Sequence, residues 1–146
     1  DPEIPVLSIV DMGIVRAIDT SNNECHIQIT PTYSGCPAMN TIATDITTHL
    51  LSHGFPCKVE LVLSPAWTTD WMTAAGKQKL KAYGIAPPED EDINLNTLFN
   101  HQHAVECPRC NSRNTSLVSQ FGSTACKALY KCLDCLEPFD YFKCLK

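Results

Sequence analysis

Two short cysteine pairs constrain this chain more than any other feature. Cys107-Pro108-Arg109-Cys110 and Cys132-Leu133-Asp134-Cys135 bracket 21 residues near the C-terminal end. Each CxxC loop can present two thiolates to one ion, and a tetrahedral four-thiolate set suits Zn²⁺. Four thiolates also accept iron, an iron–sulfur centre or a pair of redox disulfides, and spacing alone does not separate these. A tail of 42 residues buries too little to fold without such a staple. Between the pairs, Thr115 to Phe121 and Ala125 to Lys131 read as strands around Gly122-Ser123, and Phe139 to Phe142 adds a third. The layout is that of an all-β zinc ribbon over 105–146. With all four positions filled by Cys107, Cys110, Cys132 and Cys135, such a site is structural rather than catalytic. Cys126 and Cys144 are left over, as packing residues or as ligands of a labile metal or transfer site.

Nine cysteines in 146 residues also bear on the compartment. The odd number and the two CxxC pairs favour metal binding in a reducing cytoplasm over a secreted disulfide scaffold. No apolar run is long enough for a transmembrane helix, and no signal-peptide pattern is present. The net charge of −5 is uneven: residues 1–104 carry −7 and residues 105–146 carry +2. That split predicts two units, and the acidic larger one speaks against nucleic-acid binding, because phosphate would repel it. Pro87-Pro88-Glu89-Asp90-Glu91-Asp92 reads as a stiff acidic linker. The expected organisation is a domain at 1–86, a linker at 87–104 and the ribbon at 105–146.

The first unit reads as a small α/β domain with a three-stranded, mainly antiparallel sheet and two helices, which makes the whole chain α+β. Ile14 to Ile18 and Glu24 to Thr30 form a hairpin across Asp19-Thr20-Ser21-Asn22-Asn23, with Ile27 and Ile29 inward and His26, Gln28 and Thr30 outward. Met39, Ile42, Ala43, Ile46 and Leu50 make one apolar helical stripe. Pro37 suits its first turn and Gly54 its end. Lys58 to Leu63 is the third strand, with Val59, Leu61 and Leu63 on one face. Thr68 or Thr69 is the expected cap of a second helix that ends at Gly84, with Ala75 and Gly76 permitting close approach to the sheet.

Between strand and helix lies Thr30-Pro31-Thr32-Tyr33-Ser34-Gly35-Cys36-Pro37. Cys36 has no CxxC partner and falls at a helix start, where the dipole and free N–H groups favour a thiolate. Nucleophile, redox thiol and metal ligand are all open to such a cysteine. A cysteine hydrolase also needs a base, and none of His26, His49, His53, His101 and His103 lies in a recognisable motif. Asp1, Glu3 and Asp11 are candidates for a carboxylate cluster near Cys36, although capping and turn formation explain them nearly as well. Cys25 and Cys57, at strand ends, read as packing residues.

Asp1-Pro2-Glu3-Ile4-Pro5-Val6, Asp11-Met12-Gly13-Ile14-Val15, Thr30-Pro31-Thr32 and Ser34-Gly35-Cys36-Pro37 resemble the iron–sulfur-assembly family that includes SufT. Cys107-Pro108-Arg109-Cys110, the stretch Phe121 to Tyr130 and Glu137 to Cys144 are similar to the phenylacetate-degradation protein D family (PaaD). The resemblance implies Cys36 as the functional thiol, with Asp1, Glu3, Asp11, Thr30 and Thr32 in support, and the four ribbon cysteines as ligands of a structural zinc. It implies a non-enzymatic accessory of the phenylacetyl-CoA 1,2-epoxidase system that assists maturation, carrying iron or an iron–sulfur cluster transiently. Expected partners are the system's iron–sulfur reductase or di-iron oxygenase, with a second copy of the chain as another way to complete the site of Cys36. The rival readings are a stoichiometric structural or electron-transfer subunit of the oxygenase, and a zinc-ribbon adaptor for nucleic acid or protein.

Overall fold

The structure, a computed structural model, describes residues 1–21, 24–89 and 104–143. The first unit holds β1 (Val15–Asp19), β2 (Cys25–Ile29), α1 (Ala38–Ser52), β3 (Cys57–Leu61) and α2 (Ala74–Tyr83). Its sheet runs β1-β2-β3. The β1–β2 pair is antiparallel, as expected of a hairpin. The β2–β3 pair is parallel, because α1 carries the chain back across the sheet before β3 begins. That crossover fixes the place of the Thr30–Pro37 loop, which joins the end of β2 to the start of α1.

The apolar stripe of α1 works as its periodicity requires. Met39 and Ile42 are buried, and Ala43, Ile46 and Leu50 pack against the same core with Ile4, Leu7, Ile14, Ile27 and Ile29. Pro37 is the N-terminal cap residue of α1 and already has helical backbone angles, so Cys36 lies just outside the helix.

Three local expectations give way. Thr30 does not face solvent; it is only 1 % exposed. The strand ends at Ile29, and the Thr30 N–H instead donates to Ile14 O at 2.9 Å, turning the loop inward. β3 stops at Leu61, and Leu61 and Leu63 are exposed. The second helix is capped by Thr73, not by Thr68 or Thr69. Residues Thr69–Trp71 form a separate 3-10 turn, and Met72 then returns to extended backbone. Thr73 Oγ1 accepts from Gly76 N, and Gly84 closes α2 in the left-handed conformation at φ 96°.

Asp11 holds this second helix in place. Its Oδ2 accepts from Lys79 Nζ at 2.7 Å and from Ser8 Oγ at 2.9 Å, and its Oδ1 accepts from Thr73 Oγ1 at 3.2 Å. Gly76 is required at this contact, since a Cβ there would lie 2.9 Å from Asp11 O. The close approach is therefore to the Asp11 loop rather than to the sheet. Gly13, at φ 66°, is equally constrained: a Cβ would lie 2.3 Å from Trp71 O.

The ribbon contains β5 (Thr115–Ser119), β6 (Lys127–Cys132) and β7 (Pro138–Phe142), joined antiparallel. A short strand, β4 (Ile85–Ala86), follows α2 directly and pairs parallel with β7, giving the order β4-β7-β6-β5. The units also share a core. Phe142 and Cys126 from the ribbon are buried in the first unit's cluster. The Phe142 ring meets Trp67 edge-on with centroids 5.9 Å apart, and Lys81 Nζ reaches Glu106 Oε1 at 2.5 Å.

Candidate functional site

The two CxxC loops converge. The sulfurs of Cys107, Cys110, Cys132 and Cys135 all lie within 4.8 Å of one another, with Cys107–Cys135 at 3.8 Å and Cys110–Cys132 at 3.6 Å. A tetrahedron with Zn–S bonds of about 2.3 Å has edges of about 3.8 Å, so the donor set fits zinc in both chemistry and size. Each loop is followed by a residue with positive φ, Asn111 at 60° and Leu136 at 64°, which turns the chain away from the sulfurs. Backbone N–H groups of Cys135 and Asp134 point at the Cys132 sulfur and hold its thiol down at about 7. Asp134 ties the loops together outside the sulfurs, accepting from Ser112 Oγ and, at 2.7 Å, from Asn114 Nδ2. Four thiolates leave no open coordination position, so this is a structural zinc centre.

Cys36 belongs to a different place. Its half-buried thiol lies at the mouth of α1, where the N–H groups of Ala38 and Met39 donate to the sulfur. The simple expectation of an easily formed thiolate does not hold. Burial pushes the thiol above its ordinary value, the helix N–H groups pull the other way, and negative charge on Glu3 and Cys126 adds to the rise.

The charges that act on Cys36 identify its neighbours. Cys126 arrives from the ribbon, only 3 % exposed, with its sulfur 4.0 Å from Glu3 Oε2 and 3.1 Å from Thr124 Oγ1. Burial raises its thiol as well. Tyr33, from the loop itself, feels Cys36, Glu3 and Cys126 together. The junction of the two units thus gathers two thiols, one carboxylate and one phenol. A crevice of about 210 Å³ lined by Thr30, Thr32, Tyr33, Ser34 and Trp67 opens beside the loop.

The remaining expected residues fall into place around this junction or away from it. Glu3 is at the site. Asp1 supports it indirectly, since its Oδ1 accepts from the N–H groups of Glu3 and Ile4 at 2.8 and 2.9 Å and shapes the turn that delivers Glu3. Asp11 is not part of the site; Lys79, Ser8 and Thr73 occupy it, and the Lys79 ammonium holds its carboxyl far below the usual carboxylate range. Thr30 and Thr32 are buried in the loop's base. Cys144, His101 and His103 lie outside the described residues. Tyr33 and Thr124 carry no chemical signal in the sequence; Tyr33 is legible only as a member of the loop motif.

Comparison with known proteins agrees with both halves. Residues 1–60 match the family model described as iron-sulfur cluster assembly protein, and residues 91–143 match the PaaD zinc beta ribbon domain. The chain is 50 % identical over 149 residues to a putative 1,2-phenylacetyl-CoA epoxidase subunit of Escherichia coli (strain K12), covering 99 % of this chain and 86 % of that protein. The chain belongs to the PaaD family. The fold of the first unit is also that of a solved domain of unknown function, DUF59, from Bacillus anthracis, at 30 % identity and a TM-score of 0.50, over 55 % of this chain and 78 % of that one. The first match includes Cys36, and the second includes Cys126 and the four clustered cysteines. Among the described residues, no helix is long and apolar enough to cross a membrane.

Proposed function

We propose that this chain acts in phenylacetate degradation as a non-catalytic maturation factor, helping to place iron or an iron–sulfur cluster in the phenylacetyl-CoA 1,2-epoxidase system. The observation that carries the reading is the junction site: Cys36 lies with Cys126 and Glu3 between two units, apart from the complete four-cysteine set. Thiolate and carboxylate donors suit iron. Burial disfavours both thiolates, so metal capture and release by these residues are proton-linked. An incomplete donor set is suited to passing a metal on, because the client can supply the remaining ligands. The clients by this reading are the iron–sulfur reductase or the di-iron oxygenase of the system, in the cytoplasm.

The test replaces Cys36 by Ala in a cell whose growth on phenylacetate depends on this protein, followed by iron analysis of the purified epoxidase components. Loss of iron or cluster from one component is expected. Full iron content in both would sink the proposal. The relative's name as a subunit favours a second reading, a stoichiometric member of the complex. Purification decides between them: a subunit elutes with the oxygenase in fixed ratio, and a maturation factor is absent from the finished enzyme.

A further inference from the structure

A second pair of thiols lies at the other end of the same sheet. Cys25 opens β2 and Cys57 opens β3, and the two are direct partners in the parallel ladder. The register is locked beyond the strands by Cys25 N donating to Pro56 O at 3.2 Å. Neighbouring strands run about 4.8 Å apart, and opposed side chains leave the sheet on the same face. That separation falls inside the window of about 4.4–6.8 Å between Cα atoms that a disulfide tolerates. Both side chains pack against the same core cluster of the first unit. Both are half-buried, and a crevice of about 440 Å³ bounded by Thr20, Glu24, Cys25, Gly54, Phe55 and Pro56 admits a small reagent.

We propose that Cys25 and Cys57 are a modification site, a dithiol that a two-electron oxidant of the peroxide class converts into a cross-strand disulfide. Cys25 borders the crevice and Cys57 does not, so Cys25 is the thiol that meets the oxidant. Its sulfur takes one peroxide oxygen as the O–O bond breaks, giving a sulfenic acid and releasing the other oxygen as water. The Cys57 sulfur then attacks the Cys25 sulfur. The S–S bond forms, the S–O bond breaks, and the departing hydroxide leaves as water with the Cys57 proton. Two thiols are oxidised by two electrons in total, and one peroxide is reduced to two waters. The new bond closes residues 25–57 into a ring that contains Cys36 and all of α1. It braces β2 against β3 at the end of the sheet away from the Cys36 loop, and it does not depend on the maturation role.

The test uses the full zinc-loaded chain. Trypsin releases residues 17–58 as one peptide holding Cys25, Cys36 and Cys57. In a Cys36→Ser variant this peptide contains only the proposed pair. After hydrogen peroxide and then iodoacetamide, the expected product is the unalkylated peptide, about 2 Da lighter than the reduced form and restored by dithiothreitol. Recovery of the doubly alkylated peptide, or of separate sulfinic acids, overturns the proposal. The wild-type chain gives the same readout without the substitution: cleavage at Asp45 leaves two fragments linked by Cys25–Cys57 with Cys36 alkylated. A linkage through Cys36 instead would refute it.

Discussion

Phe142 is the side chain through which the ribbon reports on the first unit. It is fully buried, belongs to the ribbon's last strand, and packs into the first unit's core with its ring edge-on to Trp67. Phe142→Ala removes a large buried ring from a close-packed site, which costs about 3–5 kcal/mol. For a protein of this size each kcal/mol lowers the melting point by about 2–4 °C, so the midpoint falls by roughly 6–20 °C. Trp67 is the natural probe, because its indole is buried and donates to Met12 O at 2.9 Å inside the first unit. A Trp71→Phe background leaves it as the only tryptophan. Thermal unfolding is followed by Trp67 fluorescence and, in parallel, by zinc release to a chromogenic chelator. Both signals are expected to move down together in a single transition. A Trp67 transition that stays within about 2 °C of the parent while zinc is lost earlier would refute the shared-core argument and leave two tethered, independent units.

Other outcomes follow from the same contacts. Zinc chelation is expected to melt the ribbon and to lower the Trp67 transition as well, because Cys126 and Phe142 then leave the first unit's core; circular dichroism with and without a strong chelator measures this. Asp11→Asn removes a carboxylate whose folded pKa is depressed. Its stabilisation is fully present above the unfolded value of about 3.9 and is lost as pH falls towards the folded value. The melting-point gap between parent and variant is therefore expected to be constant from pH 7 to about 5 and to close below about 4. Glu3→Gln takes away one of the charges that raise the Cys36 thiol, so alkylation of Cys36 at pH 8 should speed up; an unchanged rate means that Glu3 does not act on it. Gly13→Ala forces a Cβ into the Trp71 backbone at a left-handed position and is expected to cost about 2–5 kcal/mol by chemical denaturation.

Legibility in the sequence follows the range of the interaction. The α1 stripe, the hairpin and the two CxxC loops are local patterns, and each is where periodicity or spacing puts it. The start of α2 is misplaced by sequence reasoning because Thr68, Thr69 and Thr73 are all competent caps. Only the tertiary contact of Asp11 with Thr73 and Gly76 selects the third. Thr30 looks outward by simple alternation, which fails one residue past the strand end. The Cys36 thiol departs from expectation for a similar reason: a helix start lowers a thiol's pKa, but burial and neighbouring negative charge oppose it, and the sequence does not reveal burial.

The junction site is the least legible feature. Glu3 and Cys126 are 123 residues apart. Cys126 carries no spacing signal, and its neighbours Thr124 and Lys127 look like ordinary turn and strand residues. What brings it to Cys36 is a chain of packing. β4 leaves α2 and pairs with β7, β7 pairs with β6, and Lys143 N donates to Cys126 O just beyond that pair. The zinc set fixes the far end of the same strands. Zinc in the ribbon therefore positions a thiol in the first unit although it contacts neither Cys36 nor Glu3. Cys126 fits there as a small neutral group in the shared core, and that packing places it beside Glu3 and within electrostatic reach of Cys36.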